Sequence, residues 1–397
     1  MIARRYIWPG YAGLLCLVAG LCFGNLRTHL LDTHDAETFR DHLRIQQDWT
    51  LFFSPDKEQA SGRPTAEAVK YLVFLLCGND PAAFHLLSIA IHTLAALLLA
   101  RVVFCLGNSA ILAGLTGLLF LVNVTHFQAI HHISALDYPL ALCCGLAALL
   151  MLGRGTTPKR SAAFAALLAL GVLAHPSIAV VWTLAGYLLW RRSDLTAALG
   201  ALWPSGLVLA AAFFATLQLA ADNTSTWQAV DEYGAQSAVD LVLGMLRVLW
   251  WFCSRLLTTA HWLPLPIYVR QTWELALGAA LCALLLWLVW RSKEPLAAAA
   301  LATLLGLMPY LLLTEATILG LPAGPSRYLY LASAGSAGIL AWLLRHLAAR
   351  SPLRPRLVFA LLLLLLSYSS YTGLSKATAI AYYASGRHFL ASHQLDE

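Results

Sequence analysis

A cluster of acidic residues follows the first apolar run of the chain, at residues 30–42 (LLDTHDAETFRDH). Carboxylates are costly in lipid, so such a cluster in a chain rich in apolar runs is either a solvated loop or a working site. We interpret Asp35 as a general base that takes the proton from an acceptor hydroxyl. Asp32 and Glu37 are the other candidates for this role. The alternative is a solvated acidic loop with no catalytic function.

A second acid, Asp137, stands at the start of a predicted helix in HHISALDYPLAL, shortly after His131 and His132. From there it could face the same cavity as Asp35, where it would orient the acceptor or share a divalent metal. The alternative is an acid that stabilises the helix N-terminus through the helix dipole. The two histidines could be ligands or hydrogen-bond donors in that cavity, or simply interfacial side chains.

Basic residues suited to binding phosphate lie elsewhere in the chain. Arg327, in GPSRYLYLASAG, is predicted at the outer end of a crossing, where positive charge does not serve membrane orientation. Its planar guanidinium can bond two phosphate oxygens. We expect Arg327 to hold a leaving phosphate with Arg63 and Tyr328, although Tyr328 also fits an interfacial aromatic belt. His175 interrupts two apolar runs and could line the cavity, but a proline-induced break explains it as well.

The composition shows which kind of scaffold must position these residues. The chain has 397 residues, of which 59% are hydrophobic and 12% charged. Soluble domains carry about a quarter charged residues, so we interpret the chain as a polytopic membrane protein with one integral domain, residues 1–372. The net charge of +6 comes from short basic clusters between apolar runs, which argues against nucleic-acid binding. The eight cysteines show no metal-ligand spacing and are expected to be buried apolar side chains.

Eleven apolar runs predict an all-α bundle. A spanning helix needs about 20 apolar residues, so the two shorter runs on either side of His175 fit only a thinned bilayer or upright helices. The predicted spans are 7–26, 82–105, 109–125, 134–152, 161–174, 177–190, 197–219, 271–290, 296–313, 327–345 and 357–372.

The basic clusters predict a cytoplasmic N-terminus and an outer C-terminal tail, 373–397, in what we expect to be a bacterial inner membrane. The first outer loop, 27–81, would then carry nine of the chain's 20 acidic residues and two short helices. Residues 238–262 are predicted to form an amphipathic helix on the outer interface, with Arg247 and Arg255 reaching lipid headgroups. The alternative is a twelfth crossing.

Transfer of a sugar from a lipid phosphate needs a base, a cationic phosphate site and an apolar groove, and the order of motifs resembles a family with that chemistry. The motifs are Arg63-Pro64, FHLLSIAIH at 84–92, Pro309-Tyr310 and RYLYL at 327–331. They resemble GT-C-fold glycosyltransferases, in particular transmembrane O-mannosyltransferases with tetratricopeptide repeats and their bacterial relatives, although the sequence shows no such repeat.

The resemblance implies a GT-C-type membrane glycosyltransferase that uses a polyprenyl-phosphate sugar on the outer face and inverts the anomeric carbon. The acceptor would be a protein or glycan hydroxyl. It also implies that Asp35 is the base, that Asp137 corresponds to the acid of the fourth helix and that Arg327 is the late arginine. Two departures weaken the match: Ala36 follows Asp35 where relatives carry a second acid, and His175-Pro176 replaces an expected Lys-Glu pair.

Two other functions fit the sequence. A non-catalytic lipid-linked-sugar binder or assembly subunit could have the same fold. A secondary transporter should show paired broken helices in two inverted halves, and the sequence has one such break.

Overall fold

The computed structural model describes residues 2–24, 26, 33–54, 62–123, 126–153, 157–219, 238–258, 272–311 and 326–349, with single positions 356, 360 and 364. Within these residues every regular element is a helix. The α-helices are α1 (Ile2–Phe23), α2 (Thr33–Gln47), α3 (Pro64–Cys77), α4 (Pro81–Gly107), α5 (Ala110–Leu121), α6 (Phe127–His131), α7 (Asp137–Leu152), α8 (Pro158–Ala174), α9 (Val180–Arg192), α10 (Leu195–Leu219), α11 (Ala238–Thr258), α12 (Thr272–Arg291), α13 (Glu294–Leu307) and α14 (Tyr330–Ala348). Short 3₁₀ segments are Trp49–Phe53, Ile133–Ala135, Pro176–Ala179, Met308–Tyr310 and Ser326–Leu329.

Ten of the eleven predicted spans coincide with α-helices, and the last, 357–372, lies almost wholly outside the described residues. Among the helices that the structure describes, four are long and apolar enough to cross a membrane: Pro81–Gly107, Ile133–Leu152, Leu195–Leu219 and Thr272–Arg291. Shorter apolar helices are Ile7–Phe23, Ala110–Leu121 and Glu294–Tyr310. The all-α membrane architecture is therefore supported, while the number of crossings and their direction stay predictions.

The first predicted outer loop contains two helices, α2 and α3, that pack on the bundle. Phe39 of α2, Phe74 of α3 and Phe84 of α4 form a buried cluster with Ile133. The rings of Phe39 and Phe84 meet edge to face, with centroids 5.0 Å apart. This cluster fixes α2 and α3 against the 3₁₀ segment that immediately precedes Asp137.

Small residues let α13 and α14 approach closely. A Cβ added at Gly306 would lie 2.6 Å from the backbone nitrogen of Ala332, and one at Gly335 would overlap the carbonyl oxygen of Ala299. Close backbone approach through small residues is a common way to pack helices in membranes, where lipid provides no hydrophobic driving force between them. The contact matters for function because α13 and α14 continue into the 3₁₀ segments that carry Tyr310 and Arg327.

One sequence prediction about α11 is wrong. Arg255 does not reach the lipid headgroups: its side chain is fully buried, and its Nη2 lies 3.0 Å from Oε1 of Glu274 on α12. A Cβ at Gly278 would overlap the backbone of Trp250, so α11 and α12 are in close contact. A buried charge requires a partner of opposite charge, which for Arg255 is Glu274. The amphipathic pattern of α11 does not show that this partner lies on the next helix. The membrane position of α11 stays a prediction.

We predict that Gly306→Ala lowers the thermal stability of the detergent-solubilised protein. The added methyl group would meet backbone atoms of Ala332, which cannot rotate away, and overpacking of this kind costs about 1–3 kcal/mol. Gly200→Ala on α10 is the matched control, because a Cβ there meets nothing within 4 Å. Equal melting temperatures for the two variants would show that the α13–α14 contact is not tight.

Candidate functional site

The candidate site is built around an ion pair between Arg63 and Asp137. Asp137 is the first residue of α7 and is only 1% exposed. Its Oδ1 accepts the backbone N–H of Tyr138 at 2.9 Å, and its Oδ2 accepts a hydrogen bond from Nη1 of Arg63. Arg63 is held at the N-terminus of α3, next to Pro64 at the first helical position, and its side chain is 30% exposed. The pair joins the first outer loop to the start of α7.

The electrostatics of this pair keep Arg63 charged. Burial alone would lower the pKa of Arg63, but the adjacent Asp137 carboxylate and the nearby Tyr138 and Tyr310 outweigh it, and the pKa lies above its ordinary value. Asp137 in turn is a buried carboxylate compensated by a guanidinium and by a backbone N–H. Such compensation is what allows a charge to be buried at all.

Tyr138 of α7 and aromatic side chains from three further segments lie around the ion pair. The ring centroids of Tyr138 and His175 are 4.2 Å apart, and those of Tyr310 and Tyr328 are 5.1 Å apart. His175 and Tyr310 connect the two pairs at 6.4 Å. Nδ1 of His175 accepts the backbone N–H of Ser177 at 3.2 Å, which fixes the imidazole ring at the break between α8 and α9.

Arg327 brings a second guanidinium to this cluster. Its backbone N–H donates to Oε1 of Gln128 at 3.2 Å, and its Nη2 donates to Oη of Tyr328 at 3.0 Å. Asp137 and Tyr138 are close enough to act electrostatically on its charge. Nevertheless Arg327 forms no ion pair with any residue that the structure describes, and its buried Nε has no hydrogen-bond partner there. Its charge is therefore not neutralised by the described part of the chain.

The structure thus brings together five of the side chains predicted from sequence: Arg63, Asp137, His175, Arg327 and Tyr328. They are remote in sequence, and each comes from the end of a helix or a 3₁₀ turn. These helix ends meet because the apolar helices behind them pack into one core.

His131, His132 and Glu37 are the other predicted site residues whose side chains the structure describes. His131 is buried and stacks on His85 with ring centroids 5.7 Å apart, and His132 meets His131 edge to face. Glu37 is half-buried on α2. The backbone of Asp35 belongs to α2, which contacts the 3₁₀ segment before Asp137, but the Asp35 side chain lies outside the described residues. Its role as base stays a prediction.

The contacts of Tyr138, Tyr310 and Gln128 at the site were not predicted from the sequence. Tyrosines at helix ends in a membrane protein are usually read as an interfacial belt, which hid their contact with buried charges. The signal that could have found Tyr138 is its position directly after a buried acid. Gln128 carries no such signal, because its partner is a backbone N–H 199 residues away.

A divalent metal at Asp137 finds little support in this geometry. Both carboxylate oxygens already accept protein hydrogen bonds, and a cation, Arg63, occupies the position next to one of them. In the part of the chain that the structure describes, no group of three or more His, Cys, Asp or Glu residues could hold a metal ion. A site that includes Asp35 falls outside this description and stays a prediction.

Comparison with known proteins supports the fold. No family model matches the chain, and no curated protein matches it. A solved structure, the archaeal oligosaccharyltransferase AglB from Archaeoglobus fulgidus in complex with an inhibitory peptide and a dolichol-phosphate, is similar with a TM-score of 0.56 and 12% identity. The chain has a GT-C-like membrane fold. The similarity covers 94% of this chain and 56% of that one, so the chain spans little more than half of that structure. The relation to O-mannosyltransferases stays a prediction.

We predict that Arg63→Met destabilises the protein by about 2–4 kcal/mol, because it leaves the Asp137 carboxylate buried without its partner. Denaturant unfolding in detergent measures the effect. Arg192→Met is the control: it breaks an ion pair of 2.6 Å with Glu294, but that pair is partly exposed and should contribute at most about 1 kcal/mol. Adding Asp137→Asn to Arg63→Met should recover part of the loss. Equal effects of the two arginine substitutions would contradict the pairing.

Proposed function

We propose that the chain is a membrane glycosyltransferase that transfers a sugar from a polyprenyl-phosphate donor to an acceptor hydroxyl on the outer face of the membrane. The observation that carries the proposal is the guanidinium of Arg327, which no described residue neutralises and which lies beside the Arg63–Asp137 pair at the end of an apolar bundle. The GT-C-like fold agrees with it.

Charge balance favours a phosphate ligand. Among the described residues of the cluster, two guanidinium groups face one carboxylate, and Arg63 is already paired with Asp137. The remaining positive charge, on Arg327, matches the single negative charge of a phosphodiester that links a sugar to a lipid. Arginine binds such a group with parallel hydrogen bonds. The Nε–H of Arg327, which has no partner in the described part of the chain, is one of the donors that could contribute.

An apolar cavity next to the polar cluster is suited to the lipid portion of the donor. It lies between α4, α7, α9, α13 and α14, is partly open to the surface and has a volume of about 80 Å³. The lining is almost entirely aliphatic and includes Leu142, Leu146, Val181, Ala298, Gly306 and Leu331. Leu331 follows Arg327 by four residues and Gly306 precedes Tyr310 by four, so the same helices that form the cavity present Arg327 and Tyr310 at their ends.

The proposed reaction is a direct displacement that inverts the anomeric carbon. The acceptor oxygen forms a bond to that carbon while the bond to the phosphate oxygen breaks, and the phosphate leaves with the electron pair. Asp35 takes the acceptor proton, Arg327 stabilises the charge that develops on the leaving phosphate, and Asp137 orients the acceptor. The aromatic rings of Tyr138, Tyr310 and Tyr328 exclude water from this region.

The solved neighbour is consistent with this proposal in general terms. That protein is an oligosaccharyltransferase and was solved with a peptide and a dolichol-phosphate. By analogy we propose a lipid-linked sugar and a protein or glycan acceptor for this chain. A non-catalytic lipid-sugar binder would share every feature described, because binding needs Arg327 but not Asp35. Transfer activity separates the two.

We predict that Arg327→Ala lowers kcat/KM for transfer from a labelled polyprenyl-phosphate sugar by roughly 100-fold or more, the scale of removing a charged donor from a developing anion. Arg345→Ala is the matched control, since Arg345 is an exposed arginine at the other end of α14. It should leave transfer unchanged. Full activity of Arg327→Ala would remove this residue from phosphate binding and refute the proposal.

We further predict that Asp35→Asn abolishes transfer and leaves the melting temperature and donor binding unchanged, because an amide cannot take the acceptor proton. The variant is compared with Asp48→Asn, whose carboxylate is exposed and caps the 3₁₀ turn at Trp49. Undiminished transfer by Asp35→Asn would exclude Asp35 as the base. Donor binding without transfer by the unmodified protein, on every acceptor tried, would favour the non-catalytic binder.

A further inference from the structure

Two sequence stretches that are remote in the chain meet inside the bundle through His92 and Tyr330. Nδ1 of His92, on α4, lies 2.8 Å from Oη of Tyr330, the first residue of α14. Nε2 of His92 lies 3.0 Å from the carbonyl oxygen of Leu121, the last residue of α5. His92 and Tyr330 are both fully buried. One imidazole therefore links three helices.

The partners define the protonation of this imidazole. A carbonyl oxygen can only accept, so Nε2 of His92 must carry the hydrogen and donate it to Leu121. Nδ1 of the neutral ring is then an acceptor, and the Tyr330 hydroxyl donates to it. The Leu121 carbonyl is one of the groups that a helix C-terminus leaves without an intrahelical partner, and His92 satisfies it.

A second link reinforces the same end of α14. Ser333 donates its hydroxyl hydrogen to the carbonyl oxygen of Tyr330 at 2.6 Å, so Nε2 of His126 must donate to the Ser333 oxygen at 2.5 Å. The rings of His126 and Tyr330 pack with centroids 4.6 Å apart. The first turn of α14 is thus held from two sides by polar contacts in an otherwise apolar interior.

We propose that His92 and Tyr330 are positioning residues for Arg327. Arg327 lies on the 3₁₀ segment Ser326–Leu329, which continues directly into Tyr330. The Gln128 bond holds the Arg327 backbone, and the Tyr330 bond to His92 holds the start of α14 together with the His126–Ser333 contact. The His92–Tyr330 hydrogen bond therefore sets where the Arg327 guanidinium stands relative to the Arg63–Asp137 pair. This inference rests on the proposed function.

The test measures binding of a polyprenyl phosphate that carries no sugar, compared with the corresponding polyprenol, by the purified protein in nanodiscs. Tyr330→Phe removes only the hydroxyl, and we expect it to weaken phosphate binding roughly threefold to tenfold, as expected for the loss of one net hydrogen bond. Binding of the polyprenol should not change. Tyr11→Phe is the matched control, because its hydroxyl also makes an interhelical bond of 2.8 Å, to the carbonyl oxygen of Gly114, which lies on α5 about two turns before Leu121.

A coupling measurement separates positioning from general structural support. If Tyr330 acts through Arg327, Tyr330→Phe should cost less than roughly twofold in a background that already carries Arg327→Lys, because the mobile ammonium does not depend on the same placement. Full additivity of the two substitutions, or an equal loss of phosphate binding in Tyr11→Phe, would overturn the inference.

The same experiment distinguishes two outcomes: that the positioning role is wrong, and that the proposed function is wrong. Wild-type protein that binds the phosphate no better than the polyprenol would contradict both. Wild-type protein that discriminates between them, together with a Tyr330→Phe variant that discriminates equally well, would overturn the positioning role and leave the proposed function standing.

Discussion

The arrangement of the site depends on one buried ion pair, between Arg63 and Asp137. Asp137 is almost completely buried at the start of α7, so its charge requires a cation, and the cation comes from a residue 74 positions earlier. This requirement ties the first outer loop to the bundle. Because Asp137 is already paired with Arg63, the second guanidinium of the cluster, on Arg327, has no carboxylate partner among the described residues. Arg327 is therefore available to a ligand.

Helix packing behind the pair determines where Arg327 stands. The close contact of α13 with α14, through Gly306 and Gly335, places two 3₁₀ turns side by side, one with Tyr310 and one with Arg327. His92 then fixes the beginning of α14 by a hydrogen bond in the apolar interior. Apolar packing alone would allow α14 to slide or rotate, whereas a buried polar contact tolerates little displacement because unpaired polar groups are costly there.

Much of the fold could be predicted from the sequence, because apolar runs bounded by basic residues, proline and glycine define helices locally. The residue types at the site were also informative: Asp137, Arg63, Arg327, Tyr328 and His175 were chosen for their chemistry, and they do meet. Their pairing was not predictable. Arg63 was assigned to phosphate alone and Arg255 to headgroups, because a single sequence does not show that Asp137 or Glu274 lies opposite. Tyr138 and Tyr310 were given no role at the site for the same reason.

The most direct test is an experimental structure of the protein in a nanodisc with a bound polyprenyl phosphate. We expect the phosphate to lie within hydrogen-bond distance of the Arg327 guanidinium, while Arg63 remains paired with Asp137. We also expect the prenyl chain to follow the aliphatic wall at Leu331 and Leu146. A phosphate bound at another position, with Arg327 paired to a carboxylate of the chain itself, would contradict the assignment of Arg327 as the phosphate-binding residue.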